Sequence, residues 1–272
     1  MIIEVNPTMT ILITNAPTTT DSLPTILFNN LFLVGTLSAS TEAVGFLKEN
    51  AVSENTNKSW QPTALPATLT IDMITAKAVD SFAIAAHNCG TKGNTIALQS
   101  SPDNSVWTTR CTVVPTDNTT ILGLFNSQTF RYWRILISGG TVPNISVAML
   151  GPRFNFPAGV KAPYTPLWLS QTYELLTAMS MGGQFFGNKV IRKGAGTKIN
   201  LVSFDRTFGE ATILPFRDHY NLGKAFVWAA GPAIFAKDVG YVWREERSIM
   251  SPTFDENGSW MSVGMEVMAY GE

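Results

Sequence analysis

The groups in this chain able to do acid–base, nucleophilic or metal chemistry are two histidines, two cysteines and scattered carboxylates. His87 stands two residues before Cys89, and with Cys111 it makes a set of the kind that zinc takes. A fourth ligand at metal spacing is lacking, so the set reads as strand-end packing and hydrogen bonding. His219 follows Asp218, and no nucleophile is placed beside it in sequence. The glycines between Gly182 and Gly196 lack the Gly-Lys-Ser/Thr ending of a phosphate loop and suit bends and bulges. Arg244-Glu245-Glu246-Arg247 reads as a solvated or subunit-bridging charge cluster. Acids in aromatic contexts, as a glycosidase carboxylate pair requires, are scarce. The expectation is a protein that is not an enzyme, with no catalytic residue, no metal and no cofactor.

The elements around these residues are short and β-like. Apolar and polar residues alternate through Ser81–Ile84 and Thr95–Leu98, and the runs are punctuated by Cys89-Gly90, Lys92-Gly93 and Pro102-Asp103-Asn104. Such segments build half-buried antiparallel strands that pack on a second sheet. Strands are predicted at Met9–Thr14, Thr25–Val34, Ala67–Met73, Ser81–Ala86, Thr95–Ser100, Arg110–Val114, Thr119–Leu124, Tyr132–Ser138 and Ile145–Leu150. Ser100–Trp107 reads as a hairpin that returns Trp107 to the core. Trp60, just before a proline, suits a plug at the end of a sandwich. In Arg131-Tyr132-Trp133-Arg134 two residues are expected to face the core.

The chain divides near Gly151, giving residues 1–150, with an N-terminal strand arm, and 151–272. Gly151–Pro166 is rich in Pro and Gly and reads as an extended linker lying against its neighbours, because Phe154, Phe156 and Tyr164 need burial. Beyond it, Thr165–Met179 holds a candidate short helix and Phe216–Leu222 a helical turn. Strands are expected at Lys198–Phe204, Ala225–Ala229, Ala233–Ala236 and Trp260–Ala269, the last burying Met261, Val263, Met265 and Val267 on one face.

The chain has 272 residues, of which 14% are charged, and its net charge is −1, so no strong field attracts nucleic acid or an anionic membrane. No apolar run is long enough for a membrane span, and Glu4 interrupts the opening apolar residues, unlike a signal peptide. Synthesis without secretion is the expectation, and with it two reduced, half-buried thiols at Cys89 and Cys111.

Residues 36–150 resemble the discoidin, or coagulation factor 5/8 type C, family of galactose-binding-like jelly rolls. The residues that carry the likeness are Ser38-Ala39-Ser40, Trp60-Gln61-Pro62, Ala67–Asp72, Val79–Ile84, Asn88, Leu98–Asp103, Trp107 and Arg131–Ile135. The resemblance implies an all-β fold: a jelly-roll sandwich followed by a second β-rich domain. It also implies ligand binding through loops at one end of the sandwich. Gly45-Phe46-Leu47-Lys48 falls where the family places such a loop, and Phe46 and Lys48 are the candidate ligand-binding residues, for stacking on a sugar and hydrogen bonding to it. The alternative is that Phe46 and Leu47 pack beneath the loop or against another subunit. Some relatives hold a structural calcium here, but Glu49, Glu54 and Asn55 form no acidic cluster with ligand spacing.

The second half, through Arg206–Gly209, Pro215-Phe216, Ala225–Trp228, Trp243 and Trp260, resembles tail-tip and baseplate proteins of tailed bacteriophages, including the distal-tail type. In those the ring-forming domain comes first, whereas here the jelly roll does. The resemblance implies a structural virion protein, made in the bacterial host cytoplasm. Its partners would be copies of itself in a ring and other tail proteins, with a host-surface glycan as a further ligand. A carbohydrate-binding module is the alternative.

Overall fold

A computed structural model describes residues 11–14 and 19–271. The fold is all-β. Nine strands precede the midpoint linker or lie in it: β1 Ile11–Ile13, β2 Thr25–Leu27, β3 Thr36–Ala39, β4 Ala67–His87, β5 Thr95–Ser101, β6 Thr108–Val113, β7 Ile121–Ser138, β8 Ile145–Gly151 and β9 Phe154–Asn155. Six follow: β10 Gln171–Met179, β11 Phe185–Asp205, β12 Phe226–Ala229, β13 Val239–Arg244, β14 Thr253–Phe254 and β15 Trp260–Ala269. Met9 and Thr10 of the first expected strand lie outside the described residues.

Two long strands organise the jelly roll. The expected strands Ala67–Met73 and Ser81–Ala86 are one strand, β4, and Thr119–Leu124 and Tyr132–Ser138 are likewise one, β7. Each is irregular in its middle, and the β4–β7 register shifts between Asp72 and Lys77 and again between Val79 and Ser81. Ile74 sits there at φ 66°, its N–H held at 2.8 Å by Oδ1 of Asp72. Such irregularities twist a strand, and here they carry each strand from one layer of the sandwich to the other. The outer layer runs β3, the start of β4, the end of β7, β5 and β6. The inner layer runs β8, the end of β4, the start of β7, and β1, which lies parallel to β7. Leu69, Ile71, Ile96, Leu98, Trp133 and Ile135 from the outer layer meet Phe82, Ile84, Ile121 and Leu150 from the inner one. Phe82 lies so close over Gly123 that a Cβ there would stand 2.0 Å from its ring.

The inner layer is buried on both faces. Its far side, Ala83, Ala85, Leu122, Leu124, Val147 and Met149, packs on Leu27, Val227, Ala229 and Tyr241 of a second sheet. This explains why the Ile145–Gly151 strand is apolar almost without alternation. The second sheet is ordered β10-β11-β15-β13-β12-β2-β9, with β14 on β15. β2 belongs to it although it comes early in the chain, so the N-terminal segment laces the two halves together. The outer face of that sheet is covered by the helix Leu214–Asn221 and by Phe154, Phe156 and Phe204, with Phe216 5.0 Å from Phe226 between ring centroids. The four methionine and valine residues expected on one face of β15 are all buried.

Four local expectations are corrected. Thr165–Met179 is not helical: Leu167–Leu169 makes a single 3-10 turn and Gln171–Met179 is strand β10, because β11 runs alongside it as a pairing partner. Ala233–Ala236 is a turn, closed by Phe235 N–H donating to the Gly231 carbonyl at 2.7 Å, and the strand in this region is β13 instead. Trp107 stays out of the core, half-buried under the Arg134 guanidinium at 4.1 Å. Of Arg131–Arg134 only Trp133 is buried; Arg131 pairs with Asp72 at 2.7 Å on the surface. The Pro102-Asp103-Asn104 turn forms as expected. Asp103 accepts from the amides of Ser105 and Val106 and from Ser101 Oγ, which hold its carboxyl well below the usual range.

Gly151–Pro166 does lie against its neighbours. Phe154 and Phe156 are buried, and Tyr164 donates its hydroxyl to Asp238 Oδ2 at 2.6 Å. Arg153, in the same segment, reaches between the halves. Its Nη1 meets Asp21 at 2.5 Å, its Nε lies 3.7 Å from Asp80, and its own N–H donates to Asp80 Oδ1 at 2.6 Å.

Candidate functional site

Trp60 sets the geometry of the loop end. It is fully buried, its indole N–H donates to the Thr41 carbonyl at 3.1 Å, and its backbone bridges to Ile145 in both directions at 2.8 and 3.0 Å. Anchored there, residues 41–62 form a compact projection. Ala43 and Phe46 close a turn at 2.9 Å, with Gly45 at φ 83° providing the left-handed residue that the turn requires. Ala43 N–H donates to the Gln61 carbonyl at 2.8 Å, and Asn50 Nδ2 to the Ser59 carbonyl at 3.0 Å. The 3-10 turn Lys48–Val52 tucks Ala51 and Val52 under the loop.

The projection displays Val44, Phe46, Leu47 and Lys48 outward. Phe46 is 38% exposed, so part of its apolar surface is open to a partner. Lys48 Nζ lies 2.9 Å from Glu49 and 3.6 Å from Glu42, and Glu42 Oε1 also accepts the Lys48 N–H. The Glu49 hydrogen bond raises the Lys48 pKa, and Lys48 in turn lowers that of Glu49. Phe46 offers aromatic surface on the same projection as an ammonium held between two carboxylates. The sequence thus places Phe46 and Lys48 together on one projection, while Leu47 is exposed rather than packed beneath the loop.

The other chemistry-bearing residues are occupied structurally. His87 Nε2 contacts the Thr119 carbonyl at 2.9 Å, and its Nδ1 accepts the Cys89 N–H at 3.2 Å; burial pushes its pKa down. Cys89 and Cys111 are free and fully buried, which pushes their thiols up to about 12 and about 11. Thiols held so far from ionisation are poor nucleophiles and poor ligands. Among the described residues no group of three His, Cys, Asp or Glu side chains is placed to hold a metal ion. His219 Nε2 contacts the Ala225 carbonyl at 2.9 Å, with its ring edge-on to Phe28.

Sequence reasoning missed a second concavity. A cleft of about 370 Å³ opens where the jelly-roll loop of Asp117 and Thr119 meets the second sheet, walled by Trp168, Lys193, Lys237 and Tyr270. Its residues come from five separate stretches of chain, so no local motif announces it.

These features define an all-β protein in which a galactose-binding-like jelly roll stacks on a second β-sheet. No model of a known protein family matches the sequence, and no curated protein does. Solved structures similar to its jelly roll include chitosan-binding module 1 from a chitosanase/glucanase of Paenibacillus sp. IK-5, at 18% identity and a TM-score of 0.39, covering 46% of this chain and 99% of the module. The module CpGH89CBM32-5 of Clostridium perfringens, solved with GalNAc-beta-1,3-galactose, is 14% identical at a TM-score of 0.40, covering 46% of this chain and all of its own. The CBM32 of AlyQ, solved with 4,5-unsaturated mannuronic acid, is 20% identical at a TM-score of 0.37, covering 48% and 98%. These are likenesses of fold over less than half the chain. The resemblance of the second half to phage tail-tip proteins has no counterpart among them.

Proposed function

We propose that the chain is a non-enzymatic recognition and assembly subunit: a jelly roll of the sugar-binding type carried on a β-rich base, of the kind found in a tailed-phage tail tip, baseplate or distal-tail ring. The observation that supports it is the weld between the halves. A sugar-binding module that works alone is free on both outer faces, whereas here one entire layer of the sandwich is buried against the second sheet and β2 is laced into that sheet. A rigid union of this kind positions a recognition domain within a larger structure. Copies of the same chain and other tail proteins would be its partners, in a virion assembled in the bacterial cytoplasm.

Light scattering and negative-stain microscopy of the purified chain test the assembly half: rings or defined oligomers are expected, and a monomer at all concentrations would overturn it. The recognition half rests on the exposed part of Phe46 on the same projection as Lys48. On a glycan array that includes chitosan fragments and GalNAc-beta-1,3-galactose, Phe46→Ala is expected to weaken binding roughly 10-fold, the size of one lost stacking contact. Because Phe46 is 38% exposed and packs with the rest of its surface, the melting temperature should fall by only a few degrees, the effect of about 1–2 kcal/mol in a chain of this size. Unchanged binding by the folded variant would remove this loop from the site.

A further inference from the structure

Among the described residues no third strand pairs with the hairpin formed by β10 and the first half of β11. β15 pairs with β11 only from Ala195 onward, ending at Ala269. Beyond that point β11 continues outward with β10 as its sole strand neighbour, in register from Gln171↔Ala195 to Met179↔Phe185. Nine residues of β10 make an arm about 30 Å long. All of them are exposed, and so are the large apolar side chains at its tip, Met181, Phe185 and Phe186. Leu175 pairs with Val190 and Met179 with Phe185, so two apolar pairs flank the Thr177–Asn188 pair along the arm. A two-stranded ribbon alone in water is marginal, and an apolar one with free edges is a docking element.

We infer that this arm docks on the arm of a second copy of the same chain, the outer edge of β10 in one copy pairing with the free edge of β11 in the next. The inference rests on the assembly reading above and names its partner. Three observations select a second copy over other occupants. The arm has two free edges of matching length, one on an up strand and one on a down strand, so copies placed head to tail continue a single antiparallel sheet. That contact is heterologous, and closing it into a ring leaves no edge unpaired. Its charges divide by strand, Glu174 on β10 against Lys189, Arg192 and Lys193 on β11, so the contact sets the acidic strand of one copy beside the basic strand of the next. The apolar surface also continues at the arm's base into exposed Trp168 and Leu169, extending the area that a neighbour would cover.

The test uses the full chain and the triple variant Leu175→Lys, Phe185→Ser, Phe186→Ser, whose sites lie outside every core cluster. Light scattering is expected to give a multiple of 29.6 kDa for the natural chain and the mass of one chain for the variant, with the same melting temperature. A second test mixes two single variants, Thr177→Cys and Asn188→Cys, which face each other within one hairpin and so are kept on separate chains; oxidation is expected to give a disulfide-linked pair joining one of each, since native Cys89 and Cys111 are buried and silent. If the triple variant keeps the natural oligomer, the arm is not the contact and the inference fails while the assembly reading stands. If the natural chain is monomeric throughout, both fail. Flotation of the monomer with phosphatidylcholine–phosphatidylglycerol vesicles, lost in the triple variant, would assign the arm to a membrane and overturn the inference.

Discussion

Arg153→Met is expected to destabilise the protein by about 3–5 kcal/mol, roughly 10 °C or more in Tm, because it strips a guanidinium from two carboxylates at the junction of the halves. Asp21 is 2% exposed, and Nη1 of Arg153 meets its carboxylate at 2.5 Å. Asp80 receives the Arg153 backbone N–H at 2.6 Å and faces the side chain at 3.7 Å. Burial already outweighs these contacts and holds the Asp80 pKa above its ordinary value. Removing Arg153 raises it further. A carboxyl whose folded pKa exceeds its unfolded one favours folding below the unfolded pKa and loses that advantage as pH rises through the folded one. The variant should therefore lose more stability at neutral pH than in mild acid. Arg153→Lys, which keeps a charge but not a two-sided fork, should fall between. Chemical denaturation at both pH values measures this; equal losses at the two would show that the arginine contributes packing rather than charge.

The position of this residue shows what the sequence could and could not convey. Strands with one wet face were legible: Thr95–Ser100 and Trp260–Ala269 alternate, and the structure places their apolar residues inward. Trp60 and the Pro102–Asn104 turn were legible because each is set by a local rule. The weld was not. Alternation fades in Ile145–Gly151 because both faces are covered, and a continuous apolar run does not say what covers the second one. Nor could a local window show that Thr25–Leu27 pairs with a strand two hundred residues later. The two long strands were divided because their kinks, at Ile74 and around Phe125–Phe130, look like turns when no partner is in view.

The candidate site divides in the same way. Phe46 and Lys48 are candidates because the likeness to a known family supplies the loop, and the structure adds that Glu42 and Glu49 hold the ammonium in place. The spacing of Leu175, Leu176 and Met179 suits the short helix expected over Thr165–Met179, where the structure has β10. Its apolar residues obey no core, since all are exposed, and a pattern written for a partner outside the chain carries no intramolecular period. The cleft beside Trp168 depends on tertiary placement alone.

Asp238→Ala is the second change with a large expected cost, about 3 kcal/mol, because it orphans two buried donors at once. Asp238 is completely buried; Oδ1 accepts the Leu167 N–H at 2.7 Å and Oδ2 the Tyr164 hydroxyl at 2.6 Å, while Trp228 Nε1 donates to that hydroxyl at 3.1 Å. These bonds fasten the linker to the second sheet just before β10 departs, so they also fix the root of the arm. The loss should be local before it is global. Hydrogen exchange of the amides from Tyr164 to Gln171 should accelerate while the jelly-roll strands keep their protection. Burial holds the Asp238 pKa above its ordinary value, so the natural protein loses stability as pH rises through that raised pKa, and a chain without the carboxyl does not. The gap between the two should therefore narrow from mildly acidic to neutral pH. Asp238→Asn keeps an acceptor for Leu167 but turns an amide towards Tyr164, and should lose less than the alanine variant. If alanine and asparagine behave alike, the Leu167 bond contributes nothing, and it is the Tyr164 hydrogen bond that fastens the linker.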